Sequence, residues 1–328
     1  MNDNINKKAE EQSEFVRSVL SLSPDDIVKD KKKKTPLDFI IDNIRIIILI
    51  ICGGVLIWSL HYLIGALVHY QMAYEIYNDI GNVVMGNDGN NGAGILLPSI
   101  KNPTSPNYSE CPDLSSDNLN QIITVKPINA EYEIIRNKLY SIKELYPNLY
   151  GWIVLPNTKI NYPIMQADDN DYYLDHSYTG SYLRAGAIFA DFRCKERLLD
   201  NKNLVVYGHH MTDSSMASMF RSLDNFLDED FFRNNNTVYV YTLDGMYTYK
   251  VISVYETNMY YPYIQTSFGS DMSFVNFARE IAGNSIYDSE GYELSTSSHL
   301  LTLSTCNNRT EDGRLAVHAL LVDIYENS

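Results

Sequence analysis

The chain has 328 residues, of which 45% are hydrophobic and 20% are charged, which is enough for one good-sized globular domain with appendages. The segment up to Val68 holds nine basic and nine acidic residues, so the formal net charge of −15 lies entirely on the remainder. An acidic domain argues against long-range attraction to nucleic acid or anionic lipid, and we expect no nucleic-acid partner.

The first strong feature in chain order is an uncharged apolar segment, Ile46–Val68. A helix needs about 20 apolar residues to cross a bilayer core, whereas the core of a cleavable signal is shorter and lies nearer the start. A buried core helix is the alternative, but apolar residues on every face favour lipid. Lys31–Lys34 and Arg45 precede the segment and no Lys or Arg follows until Lys101, which predicts a cytoplasmic N-terminus and an outer remainder.

Composition divides the chain into four parts. We expect a cytoplasmic tail at 1–45, a transmembrane helix at 46–68, a juxtamembrane helix and linker at 69–128, and an extracellular catalytic domain at 129–328. The linker is rich in Asn, Gly, Ser and Pro and cannot bury a core, so it is expected to space the folded domain from the membrane.

The folded domain is predicted to begin with a helix and to continue mostly as strands. Ala130–Leu145 carries apolar residues at helical spacing, and Ser215–Leu223 and Ser270–Ala282 are predicted helical inserts. Eight segments between turn signals are predicted strands, which favours a barrel or sandwich. These segments are Gly151–Leu155, Tyr162–Met165, Ala187–Asp191, Leu204–Tyr207, Thr237–Thr242, Tyr247–Tyr255, Leu300–Thr305 and Leu315–Ile324.

A cysteine and an arginine flank the loop of the last predicted hairpin. Leu300–Thr305 is followed by Cys306, which strand alternation places on the face of Ser304. The antiparallel return strand begins near Arg314, so the hairpin brings this guanidinium toward Cys306, while Arg309 in the loop is a competing guanidinium. Taken alone, a cysteine at a strand end is more often a small buried hydrophobic residue than a nucleophile.

A histidine pair follows an earlier predicted strand. Gly208 allows a sharp turn after Leu204–Tyr207, so that His209 can reach a neighbouring strand end, although His210 fits the same pattern. Zinc is disfavoured because adjacent residues rarely bind one ion together and the sequence has no HExxH or CxxC motif. A thiol, an imidazole and a guanidinium are the groups that cysteine acyl transfer needs.

Several of these segments resemble sortases, the membrane-anchored cysteine transpeptidases of Gram-positive cell surfaces. TLSTC at Thr302–Cys306 resembles the TLxTC signature, Gly208–His209 resembles the strand-end Gly-His, and Gly313–Leu315 resembles the segment that carries the active-site arginine. Residues 151–164, 169–174 and 185–189 are similar to class B sortases, and a helix at Ser270–Ala282 fits that class. The resemblance covers roughly residues 130–326.

The resemblance implies a mostly β fold, a sortase-like eight-stranded β-barrel with peripheral helices, preceded by an N-terminal transmembrane helix. It assigns Cys306 as the nucleophile, His209 rather than His210 as the proton carrier, and Arg314 rather than Arg309 as the group that holds the substrate and the oxyanion. It further implies cleavage of an LPxTG- or NPxTN-like sorting signal after Thr, through a thioester, on secreted proteins. The acceptor would be an amine of a peptidoglycan precursor, at the cell membrane and without a metal or organic cofactor.

The residues alone leave other interpretations open. A thiol-dependent surface peptidase that only hydrolyses, and a non-enzymatic anchored binding module, both fit the pattern. Three cysteines outside the apolar segment leave at least one thiol unpaired, and a Cys111–Cys194 bridge is one pairing. Tyr260, Tyr261 and Tyr263 are expected near the walls of a substrate pocket.

Overall fold

A computed structural model describes residues 13–14, 35–85, 123–126, 130–211, 219–289, 291–306 and 312–326. Cys111, Arg309 and nearly all of the predicted linker lie outside the described residues. The chain divides into two units, residues 1–65 and residues 66–328. Among the described helices one, α1 (Pro36–Met85), is long and apolar enough to cross a membrane, which makes it a candidate membrane span.

The larger unit is a closed eight-stranded β-barrel. Its strands follow the order β9-β7-β6-β2-β3-β4-β5-β8, and β8 pairs with β9 to close the ring. Two pairs are parallel, β3 with β4 and β5 with β8, and the other pairs are antiparallel. The strands are β2 (Leu149–Val154), β3 (Asn161–Met165), β4 (Ile188–Ala190), β5 (Asn203–Tyr207), β6 (Thr237–Tyr241), β7 (Gly245–Asn258), β8 (Leu300–Cys306) and β9 (Gly313–Glu326).

All eight predicted strands are present, and the predicted barrel is confirmed. A ninth strand, β1 (Thr124–Lys126), was not predicted and pairs in parallel with the end of β9. β1 pairs with the part of β9 that follows Leu320, where the pairing of β9 with β8 has ended.

Helices cover two outer faces of the barrel. The helix α2 (Ala130–Leu145) buries Tyr132, Ile135, Leu139 and Ile142, as its spacing predicts. The helix α4 (Asp271–Gly283) begins with a capping box between Ser270 and Ser273 and packs its apolar face on β7, β8 and β9. A short helix α3 (Glu229–Asn234) and 3-10 turns at Tyr172–Leu174, Leu198–Asp200 and Phe220–Leu227 complete the described elements.

The two faces of β8 lie in different cores. Leu301 and Leu303 point into the barrel interior, whereas Leu300 packs in the outer layer with α4. By alternation Thr302, Ser304 and Cys306 share the outer face with Leu300. The sequence places Cys306 on this face, and the structure agrees.

The second half of α1 belongs to the barrel unit. Ala73, Tyr77, Ile80, Val84 and Met85 are buried in its cores. Ala66 is the first residue of the compact unit that contains the barrel. Residues 86–122 connect α1 to β1, and both ends of that connection are packed on the barrel.

Candidate active site

The β8–β9 hairpin brings Cys306 and Arg314 together. Cys306 is the last residue of β8, and the antiparallel register pairs it directly with Arg314 at the start of β9. Both side chains are half-buried. Directly opposed residues on one antiparallel pair have β-carbons about 5 Å apart, so the guanidinium and the thiol share one strand end.

The parallel pairing of β5 with β8 brings His209 to the same edge. Tyr207 is in register with Ser304, and the Gly208 amide donates to the Ser304 carbonyl at 3.2 Å. Because parallel strands end at the same side of a sheet, the residue after Gly208 lies beside the end of β8. A β-carbon at position 208 would come within 2.7 Å of the Phe220 ring, so the close approach requires glycine.

These strand ends surround a cleft of about 290 Å³. All three predicted site residues line it, together with residues from β4, from the 170–174 segment and from the connection after β7. The lining residues are Asn170, Leu174, Phe189, Tyr207, Gly208, His209, Met259, Tyr263, Ile264, Ser304, Thr305, Cys306 and Arg314. The constellation predicted from the sequence is therefore brought together in one cavity.

A backbone carbonyl fixes the orientation of the His209 ring. The Nε2 atom lies 2.7 Å from the Leu174 carbonyl oxygen. A carbonyl only accepts, so Nε2 carries the proton and donates it, and in the neutral ring Nδ1 holds the lone pair. His209 thus has one fixed nitrogen and one nitrogen able to exchange a proton.

The neighbouring His210 has different surroundings. Its Nε2 atom lies 2.8 Å from a carboxylate oxygen of Asp224, and its backbone pairs with Met219. It does not line the cleft. Geometry therefore selects His209 over His210 as the histidine beside Cys306.

A tyrosine from the connection after β7 supports the strand that carries Cys306. The hydroxyl groups of Tyr263 and Ser304 lie 2.8 Å apart, and both side chains are buried. Burial raises the pKa of Tyr263, and the bond to Ser304 and the charge of Arg314 act in the opposite direction. Of the three tyrosines expected near the pocket, Tyr263 lines it, whereas Tyr261 bonds Glu280 and Tyr260 is exposed.

Sequence reasoning missed several residues of the cleft. Asn170 and Leu174 come from a segment that was noted only for its resemblance, and Met259 and Ile264 come from an irregular connection.

Cys194 is buried, and burial raises its thiol pKa to about 11, as expected of a core thiol without a catalytic role.

The Sortase domain family model matches residues 153–322 of the chain. Sortase B of Listeria monocytogenes is 36% identical over 197 residues, which cover 60% of this chain and 77% of the relative.

Two solved structures show the same fold. Sortase B of Bacillus anthracis in complex with AAEK1 is 40% identical with a TM-score of 0.51, covering 56% of this chain and 84% of that one. A Staphylococcus aureus sortase B-substrate complex is 30% identical with a TM-score of 0.52, covering 59% of this chain and 87% of that one.

Proposed function

Because this chain belongs to the sortase family and is a class B cysteine transpeptidase, we propose that Cys306, His209 and Arg314 carry its chemistry. The observation that carries the proposal is their convergence on one cleft, at the ends of β8, β5 and β9. The substrate is a secreted protein with a C-terminal LPxTG- or NPxTN-like sorting signal, and the acceptor is an amine of a peptidoglycan precursor.

In the first half-reaction the Cys306 thiolate attacks the carbonyl carbon of the signal's Thr. The carbonyl π electrons move to oxygen, and the Arg314 guanidinium stabilises the resulting oxyanion. When the intermediate collapses, the peptide C–N bond breaks and a thioester forms. His209, as imidazolium, gives its proton to the leaving amine. The bond from Nε2 to the Leu174 carbonyl supports this role because it leaves Nδ1 to exchange the proton.

In the second half-reaction the acceptor amine attacks the thioester carbonyl. His209 takes a proton from that amine, the C–S bond breaks, and Cys306 leaves as a thiolate. The products are a new amide bond and an enzyme in its starting protonation state. No metal or organic cofactor enters either step.

We further propose a single-pass membrane anchor through α1, with the N-terminus in the cytoplasm and the barrel outside the cell. The apolar, exposed side chains of residues 46–68 support a lipid environment. Lys31–Lys34 on the N-terminal flank supports the orientation.

The test is a peptide assay with LPxTG and NPxTN-like substrates, with and without an added amine. We expect the full chain to form the amine adduct and Cys306→Ala to lose all turnover. Cys194→Ala, which removes a buried thiol outside the cleft, is the matched control and should keep its rate. Turnover in Cys306→Ala would refute the nucleophile. Release of free acid despite an excess of amine would show a hydrolase instead.

A further inference from the structure

A buried carboxylate lies behind the cleft without touching it. Asp191 follows β4, is 0% exposed and does not line the cavity. Its Oδ1 accepts from the backbone N–H and the Nε of Arg193, at 2.9 and 2.8 Å. Its Oδ2 accepts from Arg193 Nη2 at 2.7 Å, from the Tyr207 hydroxyl at 2.7 Å and from Asn170 Nδ2 at 3.1 Å.

These bonds keep the group ionised although it is buried. Burial alone would raise the pKa of the Asp191 carboxyl, but the bonds from Arg193 and Tyr207 outweigh it and the pKa lies below its ordinary value. With five donated hydrogen bonds, two of them from the Arg193 guanidinium, the carboxylate has no acceptor capacity left for a substrate. Its influence on the reaction must therefore pass through its partners.

Two of those partners form the histidine side of the cleft. Tyr207 and Asn170 both line the cavity. The Asn170 side chain is held at both ends, since its Oδ1 also accepts from the Phe192 backbone at 3.0 Å. Four residues later in the same segment, the Leu174 carbonyl binds His209. Asp191 thus fixes both the strand that leads to His209 and the segment that orients its ring.

The third partner reaches across to the opposite wall. Arg193 Nη2 donates to the Ile264 carbonyl at 3.2 Å, while its other bonds hold Asp191. Ile264 lines the cleft and follows Tyr263, whose hydroxyl binds Ser304 two residues before Cys306. One charged pair therefore connects the segment at 170–174, the end of β5 and the connection after β7.

We propose that Asp191 is a positioning residue for the transpeptidase, which fixes the two walls of the cleft so that the sorting signal is held against Cys306. The inference rests on the proposed function of this cleft. Only the carboxylate of this ion pair is buried, since the Arg193 side chain is 43% exposed. Ion pairs add little net stability whether exposed or buried, so we expect the main contribution of this pair to be the fixed geometry of its partners. Holding reacting groups within a fraction of an ångström is worth large factors in rate.

The test uses the full chain and three measurements on each variant: peptide turnover, alkylation of Cys306 by iodoacetamide, and thermal unfolding. Asp191→Asn should lower kcat/KM roughly 100-fold, mainly through kcat, while alkylation of Cys306 stays within about two-fold. A small reagent needs no aligned cleft walls, whereas a peptide does. Asp224→Asn, which removes the partner of His210 outside the cleft, should leave kcat/KM unchanged.

A double variant separates positioning from folding. Asp191→Asn leaves the partly exposed Arg193 guanidinium without its partner. Adding Arg193→Gln removes that charge, so the part of the fall in unfolding temperature that comes from the unpaired charge should be recovered. Turnover should stay low because Ile264 loses its bond from Arg193, and a neutral amide oxygen holds Tyr207 and Asn170 less firmly than the carboxylate does. Recovery of turnover together with stability would overturn the proposal, as would a folded Asp191→Asn variant with turnover within three-fold of the wild type.

If Asp191→Asn does not fold, Arg193→Lys keeps the positive charge but loses the fork that bridges Asp191 and Ile264. Its turnover should fall about ten-fold, and unchanged turnover would overturn the proposal. Failure of the proposed function itself would appear separately, as absence of wild-type turnover or as turnover that survives Cys306→Ala.

Discussion

His209 and His210 are adjacent in the chain, but only His209 faces the cleft and only His210 is paired with Asp224. His209→Ala should lower kcat by roughly 10²- to 10⁴-fold because the proton carrier is lost. His210→Ala should leave kcat nearly unchanged and lower the unfolding temperature by about 2–4 °C, because a partly buried hydrogen bond is lost. Peptide turnover and thermal unfolding measure the two effects, and equal losses of turnover would refute the assignment.

In the proposed mechanism, Arg314 supplies a planar fork of hydrogen-bond donors and not only a positive charge. Arg314→Lys keeps the positive charge but cannot bind an oxyanion and the substrate backbone in the same geometry. Loss of one charge-assisted hydrogen bond, worth about 1.5–3 kcal/mol, corresponds to a fall in kcat/KM of roughly 10- to 150-fold. Arg197→Lys, at a surface pair with Glu326, is the control and should keep its rate. Near-normal kinetics for Arg314→Lys would point instead to Arg309.

The residues of the cleft differ in how far a sequence can predict them. Cys306 and Arg314 are joined by hairpin register, which depends on local sequence, and His209 follows from the end of a neighbouring strand. Asn170, Leu174 and Asp191 reach the site through pairings that link distant segments and leave no local pattern. For that reason the sequence predicts that Cys306, His209 and Arg314 lie together, but it does not predict the neighbouring Asn170, Leu174 and Asp191.

At the scale of elements, a polar chain of hydrogen bonds joins the strands behind Cys306. His318 on β9 is fully buried, with Nδ1 2.9 Å from the Thr302 hydroxyl and Nε2 3.1 Å from the Tyr255 hydroxyl. The Thr302 hydroxyl donates to the Asn203 side-chain oxygen at 2.8 Å, so it accepts the proton of His318 Nδ1. The unprotonated Nε2 of His318 accepts from the Tyr255 hydroxyl. This network gives His318 a structural role between β7, β8 and β9.

His318 should make the stability of the barrel depend on pH. Burial lowers the pKa of the folded histidine to about 3, against about 6.5 in an unfolded chain. Below pH 6.5 the unfolded state binds a proton that the native state does not, so the free energy of unfolding falls by up to about 1.4 kcal/mol per pH unit until about pH 3. Urea unfolding of His318→Gln between pH 7 and 4 should show a shallower slope. Identical slopes for the wild type and the variant would contradict the assignment.

The strand pattern is predictable because the eight barrel strands alternate or form short apolar runs between turn signals. β1 was not predictable, since three residues in a parallel pair carry no periodicity of their own. The length of β7 and β9 was also underestimated. β7 runs to Asn258, which pairs with Gly313, and β9 runs to Glu326, which pairs with Gly245. Polar residues at strand ends give no sequence signal.

At the scale of the whole molecule, the compact unit that contains the barrel begins inside α1. A long apolar helix and a polar segment after it suggest an anchor and a spacer. What composition cannot show is that the end of that helix packs into both cores of the barrel. The Tyr77 hydroxyl also donates to the Gly186 carbonyl at 2.6 Å, next to the segment that holds Leu174.

This packing predicts how shortened chains behave. Burial of Tyr77, Ile80, Val84 and Met85 contributes, at roughly 1.5–3 kcal/mol for each large side chain, an amount comparable to the 5–15 kcal/mol stability of a typical domain. A chain beginning at residue 66 should therefore unfold at about the same temperature as the full chain in detergent. A chain beginning at residue 123 should unfold at least roughly 10 °C lower or fail to fold. Equal unfolding temperatures for the two shortened chains would show that the end of α1 is dispensable for the stability of the barrel.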